Sequence, residues 1–167
     1  MRKILTTAAV AAVLMGANGT QAATTTTTFQ VSATVLKACA VSATALAFGN
    51  YTPGLGDVTN TSTINVNCTK TTPFTVALNG GTTAGGTVAQ RLMANGANTL
   101  QYNLFTTGTW TTVFGDGSGT SVTQAGTGTG LASSVALTVF GQLKDNATNQ
   151  AAVPGAYTDT IQVTVTY

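Results

Sequence analysis

The sequence predicts an all-β domain of the sandwich or barrel class. Threonine, glycine, alanine and valine dominate it. Thr and Val suit pleated, half-buried surfaces, and Gly closes tight turns. Good helix formers such as Glu, Lys and Leu are scarce beyond the N-terminal segment. Apolar residues also recur at every second position in short runs separated by turn signals, the pattern of strands with one buried face.

The N-terminal segment sets the compartment. Arg2 and Lys3 form a positive n-region, residues 4–15 a short apolar run, and Thr20-Gln21-Ala22 a cleavage site with small residues at its first and third positions. This is the pattern of a signal peptide over 1–22, with a mature chain starting at Ala23. The alternative, a retained anchor, faces an apolar run that is short for a bilayer. No Cys follows the run, so lipid attachment at the new N-terminus is unsupported.

The mature chain, about 145 residues, suits one domain with a sizeable core. It sets Lys37, Lys70, Arg91 and Lys144 against Asp57, Asp116, Asp145 and Asp159, with no Glu and no His. A neutral, sparsely charged chain has no electrostatic footprint for nucleic acid or acidic membranes. Weak mutual repulsion points to a protein that associates.

The elements follow in order. Phe29, Val31, Ala33 and Val35 alternate with polar residues on a Thr-rich arm over 23–36, predicting a strand with one face to bury. Leu46, Phe48 and Tyr51 lead into the turn-rich Thr52-Pro53-Gly54-Leu55-Gly56-Asp57. Ile64, Val66 and Cys68 alternate, then Phe74, Val76 and Leu78, before turns at Asn79-Gly80-Gly81 and Ala84-Gly85-Gly86. Leu100, Tyr102 and Leu104 form another strand, and a further one is expected from Trp110 to Phe114. The Gly-rich stretches 115–119 and 126–130 read as loops. Val135, Leu137 and Val139 alternate, and Pro154-Gly155 introduces a last strand with Tyr157, Ile161, Val163, Val165 and Tyr167 on one face. A flexible low-complexity linker is the competing reading for 23–28 and parts of 115–134. The sequence reads as ending within this strand, whose edge then lacks a cover. A spare strand at one end and an open edge at the other suit strand exchange between copies.

Cys39 and Cys68 are the only cysteines, and an even count in an exported chain favours a disulfide. It would close a loop of about 30 residues, for about 3.6 kcal/mol in the chain-entropy model. A metal site lacks ligands.

Enzymatic roles fare poorly. Without His or Glu, acid–base work falls on Asp, Tyr, Cys or Lys, and the Asp residues are scattered. Asp116 in Gly115-Asp116-Gly117-Ser118-Gly119 lacks the alternating acidic ligands of a calcium loop, so a plain turn is expected. The glycosylation patterns at Asn60, Asn67 and Asn146 read as chance. No catalytic residue, cofactor, metal or small-molecule substrate is expected.

In order and spacing the chain resembles the spore coat protein U domain family, which includes subunits of archaic chaperone–usher pili. The pieces are Phe29-x-Val31 and Val35 before Cys39-Ala40-Val41, Leu46-x-Phe48-Gly49-x-Tyr51, Ile64-x-Val66-x-Cys68-Thr69 and Pro73-Phe74-x-Val76. Arg91-Leu92-Met93, Leu100-x-Tyr102-x-Leu104-Phe105, Gly115-Asp116-Gly117, Val139-Phe140-Gly141 and Pro154-Gly155-x-Tyr157-x-Asp159 complete them. Phe114 stands where the family often has Trp. The resemblance implies an incomplete immunoglobulin-like β-sandwich over 37–167, lacking its last strand. A periplasmic chaperone fills the gap until the N-terminal strand of the next pilus subunit replaces it at an outer-membrane usher, and the fibre reaches the cell surface, where it supports adhesion and biofilm formation. Phe29, Val31, Ala33 and Val35 would be the donor strand, and Ile161, Val163, Val165 and Tyr167 the acceptor side. The alternative is a self-contained secreted coat protein in which 29–35 pair within their own domain. A tip adhesin would need a separate binding domain, for which the chain has no room.

Overall fold

Two antiparallel sheets account for nearly all the regular structure of the described residues. A computed structural model describes residues 21–167, so the n-region and apolar run of the expected signal peptide lie outside the described residues. The chain divides into two units, Met1–Thr34 and Val35–Tyr167. In the first, residues 21–34 hold no helix or strand, and every side chain is exposed.

The second unit carries eight strands: β1 Cys39–Ala43, β2 Val58–Cys68, β3 Pro73–Leu78, β4 Arg91–Asn95, β5 Asn98–Phe105, β6 Gln124–Thr127, β7 Val135–Leu143 and β8 Val163–Thr166. They form one sheet of order β1-β2-β7-β5-β4 and a second of order β6-β3-β8. The alternation read from the sequence sets the inner faces. Ile64, Val66 and Cys68 of β2 are buried, as are Phe74, Val76 and Leu78 of β3 and Leu100, Tyr102 and Leu104 of β5, and these meet in one core with Phe114, Val139 and Leu143. The β4–β5 hairpin turns on Gly96 and Ala97 between paired Asn95 and Asn98, with Gly96 at φ +60. A two-residue loop with Gly at its first central position matches the twist of the strands it joins.

Cys39 and Cys68 are register partners on β1 and β2 and are joined by a disulfide. Arg91 is fully buried. Its Nε donates to Asn79 O (3.0 Å), one terminal nitrogen to Asn103 Oδ1 (2.6 Å) and the other to Phe114 O (2.9 Å), so the cation ties three chain segments through neutral acceptors. Burial pulls its pKa down to about 10.

Within the single chain residues 29–35 pair with no strand. Three expected elements differ from those observed. The strand expected from Trp110 to Phe114 is absent. Trp110 sits at φ +57, a conformation no strand permits, and only Val113 and Phe114 make isolated bridges. There the Phe105 and Phe140 rings hold the indole edge-on, at 5.8 and 6.3 Å between centroids. Conversely, the Gly-rich stretch contains β6, where Gly126 faces the Phe74 ring closely enough that a Cβ would lie 2.4 Å from it. The last strand is regular only over Val163–Thr166. Upstream, Thr158 exchanges two backbone bonds with Ala94 of β4 (2.8 and 3.1 Å), so the chain crosses from one sheet to the other before joining β3. A helical turn, α1 Ala147–Gln150, was not foreseen.

Candidate functional site

The sandwich is open along one side. A cleft of about 1260 Å³ reaches the core there, floored by Ile64, Leu78, Leu100, Leu104, Val139 and Leu143. One lip is the segment 43–53 that follows β1, and the other is 152–163, which leads into β8. Each lip exists for a local reason. Gly141 on β7 lets the first lip fold over the sheet, because a Cβ there would lie 2.7 Å from the Leu46 side chain and 3.1 Å from that of Phe48. The second lip alternates, with Tyr157, Asp159, Ile161 and Val163 half-buried and Thr158, Thr160 and Gln162 exposed.

Both lips are short of backbone partners. Among the described residues β1 pairs with β2 alone and β8 with β3 alone. Along the first lip Thr44 N donates to Thr63 O (3.0 Å), and the next backbone–backbone donor is Leu55 N. An unpaired edge of this kind is a template for another strand.

A tyrosine–aspartate pair pins each lip. Tyr51 OH donates to Asp145 Oδ1 (2.6 Å), and the same carboxylate accepts from Gly54 N (3.0 Å) and Gly56 N (2.8 Å). The Tyr51 hydroxyl and those two N–H groups pull the Asp145 carboxyl down to about 2, while burial and the Asp145 charge push the Tyr51 phenol up to about 12. On the second lip Asp159 Oδ2 accepts from Tyr102 OH (2.7 Å), and Oδ1 accepts from the backbone and hydroxyls of Thr82 and Thr83. Burial pushes the Asp159 carboxyl up, but the Tyr102 hydroxyl and backbone N–H groups outweigh it and hold the group below the usual carboxylate range. Burial, reinforced by Asp159, raises the Tyr102 phenol.

The residues expected at the acceptor side are distributed as follows. Ile161 and Val163 line the cleft. Val165 packs against the core further along β8, and Tyr167 is 53% exposed. Of the expected donor residues, Phe29, Val31 and Val35 are 86, 82 and 87% exposed, and Ala33 is exposed as well. Sequence reasoning missed the two Tyr–Asp pairs. Their separations of 94 and 57 residues leave no local signal. Among the described residues no group of three or more His, Cys, Asp or Glu could hold a metal.

The family model of the Spore Coat Protein U domain matches residues 25–164. The chain belongs to the spore coat protein U domain family. A solved chain from the CsuC–CsuE chaperone–tip adhesion subunit pre-assembly complex, of the archaic chaperone–usher Csu pili of Acinetobacter baumannii, has a similar fold. The TM-score is 0.50 at 24% identity, over 80% of this chain and 40% of that one. The likeness concerns the fold, and with the two antiparallel sheets it makes this spore coat protein U domain an immunoglobulin-like sandwich. No match was found among curated proteins.

Proposed function

We propose that the chain is a structural, non-catalytic subunit of a surface pilus, assembled by the chaperone–usher pathway through donor-strand exchange and supporting adhesion and biofilm formation. Residues 1–22 are the export signal, 23–36 the donor arm and 37–167 the pilin domain. The observation that carries this reading is the cleft, an apolar core opened between two lips with free backbone edges. A strand laid there covers the floor with alternate side chains and pairs its backbone with the lips. Burying Phe29, Val31 and Val35 contributes about 1.5–3 kcal/mol each. The partners are further copies, a periplasmic chaperone that holds the cleft before assembly, and an outer-membrane usher. The chaperone–subunit complex named for the structure of similar fold supports this assignment.

The test is the state of the mature chain isolated from the cell surface. An unheated gel should show a ladder of non-covalent multimers that collapses to one band on boiling. A single monomer band before boiling overturns the reading and favours the self-contained coat protein.

A further inference from the structure

Strand register gives the sandwich two ends. β2 runs from Val58 to Cys68, about 33 Å at roughly 3.3 Å per residue. At the Cys68 end, Ala38 N donates to Thr69 Oγ1 (3.3 Å) where the chain enters β1, placing Lys37 beside the Thr69-Lys70 turn. Asn67 Nδ2 donates to Leu131 O (3.2 Å), bringing Leu131 to the same end. At the other end Val58 pairs with Leu143. Asp57, Lys144 and Asp145 flank that pair, the Asp145 carboxylate carries the turn that presents Leu55, and Val153 follows α1, whose Asn149 donates to Lys144 O (2.8 Å). Leu36, Leu131, Leu55 and Val153 are all exposed. One end therefore shows two lysines with two exposed leucines. The other shows two aspartates and one lysine with an exposed leucine and valine. Asp57 and Asp145 accept hydrogen bonds within their own end, from Gln142 and from Tyr51, Gly54 and Gly56, and keep their charge there, while Asp116 stays in the turn after Phe114, Asp159 lies in the cleft and Arg91 is buried.

We propose that these ends dock on each other in successive copies, Lys37 and Lys70 of one facing Asp57 and Asp145 of the next, with Leu36 and Leu131 against Leu55 and Val153. The contact rests on the strand-exchange reading and adds a second surface to it. Val35 and Cys39 are four residues apart, at most about 14 Å when extended, so an arm seated to Val35 holds the two bodies within touching distance. An arm antiparallel to β8 ends at the Asp57–Asp145 end. A parallel arm ends at the Cys68 end and sets Lys37 and Lys70 against their own copies. Exposed ion pairs add little affinity, but complementary ends steer the approach and reject the reversed orientation.

The test follows assembly of the mature chain by light scattering between about 0.02 and 0.5 M salt, beside uptake of a labelled peptide of residues 24–36. Wild-type assembly should slow about tenfold across that range, as expected for steered association. Lys37→Glu with Lys70→Glu sets two negative charges against a net negative end, so it should slow assembly at least about tenfold at about 0.02 M salt and invert the salt dependence, added salt now speeding assembly. Adding Asp57→Lys, which makes that end net positive against the two new glutamates and leaves Leu55 in place, should restore the rate, and peptide uptake should be the same throughout. Peptide uptake together with assembly rates that ignore these charges overturns the end-to-end contact and leaves strand exchange standing. Absence of peptide uptake by the wild-type chain overturns both.

Discussion

The Tyr102 hydroxyl donates to Asp159 Oδ2 at 2.7 Å, joining the floor of the cleft to its second lip. The other oxygen of Asp159 accepts from Thr82 and Thr83, so one carboxylate binds the lip to β5 and to the loop after β3. Asp159→Asn keeps the size but removes the charge and turns an amide NH2 toward donors. It should cost on the order of 2–4 kcal/mol in urea unfolding, and Tyr102→Phe about 1–2 kcal/mol, because the remaining donors still satisfy the carboxylate. Equal losses in the two variants would contradict this arrangement.

Stability should also fall in acid. The Asp145 and Asp159 carboxyls are held below their ordinary values in the folded chain. Such groups bind protons more readily when unfolded, so their contribution is complete above the unfolded pKa of about 3.9 and is lost as pH falls through the folded values. For Asp145 that window extends down to about 2. Unfolding midpoints measured from pH 6 to about 2 should be flat and then drop, with a shallower drop in Asp159→Asn.

Two kinds of information separate what the sequence showed from what it did not. The inner faces of β2, β3 and β5 were legible because period-2 burial writes itself into adjacent residues such as Ile64, Val66 and Cys68. The disulfide was legible because two cysteines allow one pairing. The first lip was not. Leu46 and Phe48 look like strand residues, yet they pack over Gly141, far along the chain, and find no ladder partner. The burial of Arg91 was not legible either, because it depends on three carbonyl or amide oxygens brought in from Asn79, Asn103 and Phe114.

Val163 pairs with Leu78, its side chain half-buried at the cleft. Val163→Asp puts a carboxylate beside Leu78 and Ile161 with no cation on either neighbouring strand position. The chain should fail to accumulate in the periplasm, because the apolar surface that a chaperone strand would cover now carries an unpaired charge. Thr164→Asp, one position along on the exposed face, should accumulate near wild-type levels. Normal export and assembly of Val163→Asp would mean that β8 does not border the working surface.

The arm gives the sharpest contrast between neighbouring positions. Val31 and Ser32 are both exposed in the single chain, so neither contributes to its folded core. Replacing either with Asp should therefore leave the unfolding midpoint within about 0.5 kcal/mol of wild type. Assembly separates them. In an inserted strand Val31 shares a face with Phe29, Ala33 and Val35 and enters the apolar cleft, while Ser32 points the other way. A carboxylate at 31 must lose its water or take up a proton, at a cost of several kcal/mol per joint. Val31→Asp should remove the multimer ladder, and Ser32→Asp should leave it nearly intact. Unfolding of the monomer on changing Val31 would instead place the arm in its own domain. Equal tolerance of both changes would make it an unstructured linker. The difference between two adjacent residues is what only a strand buried on one face produces.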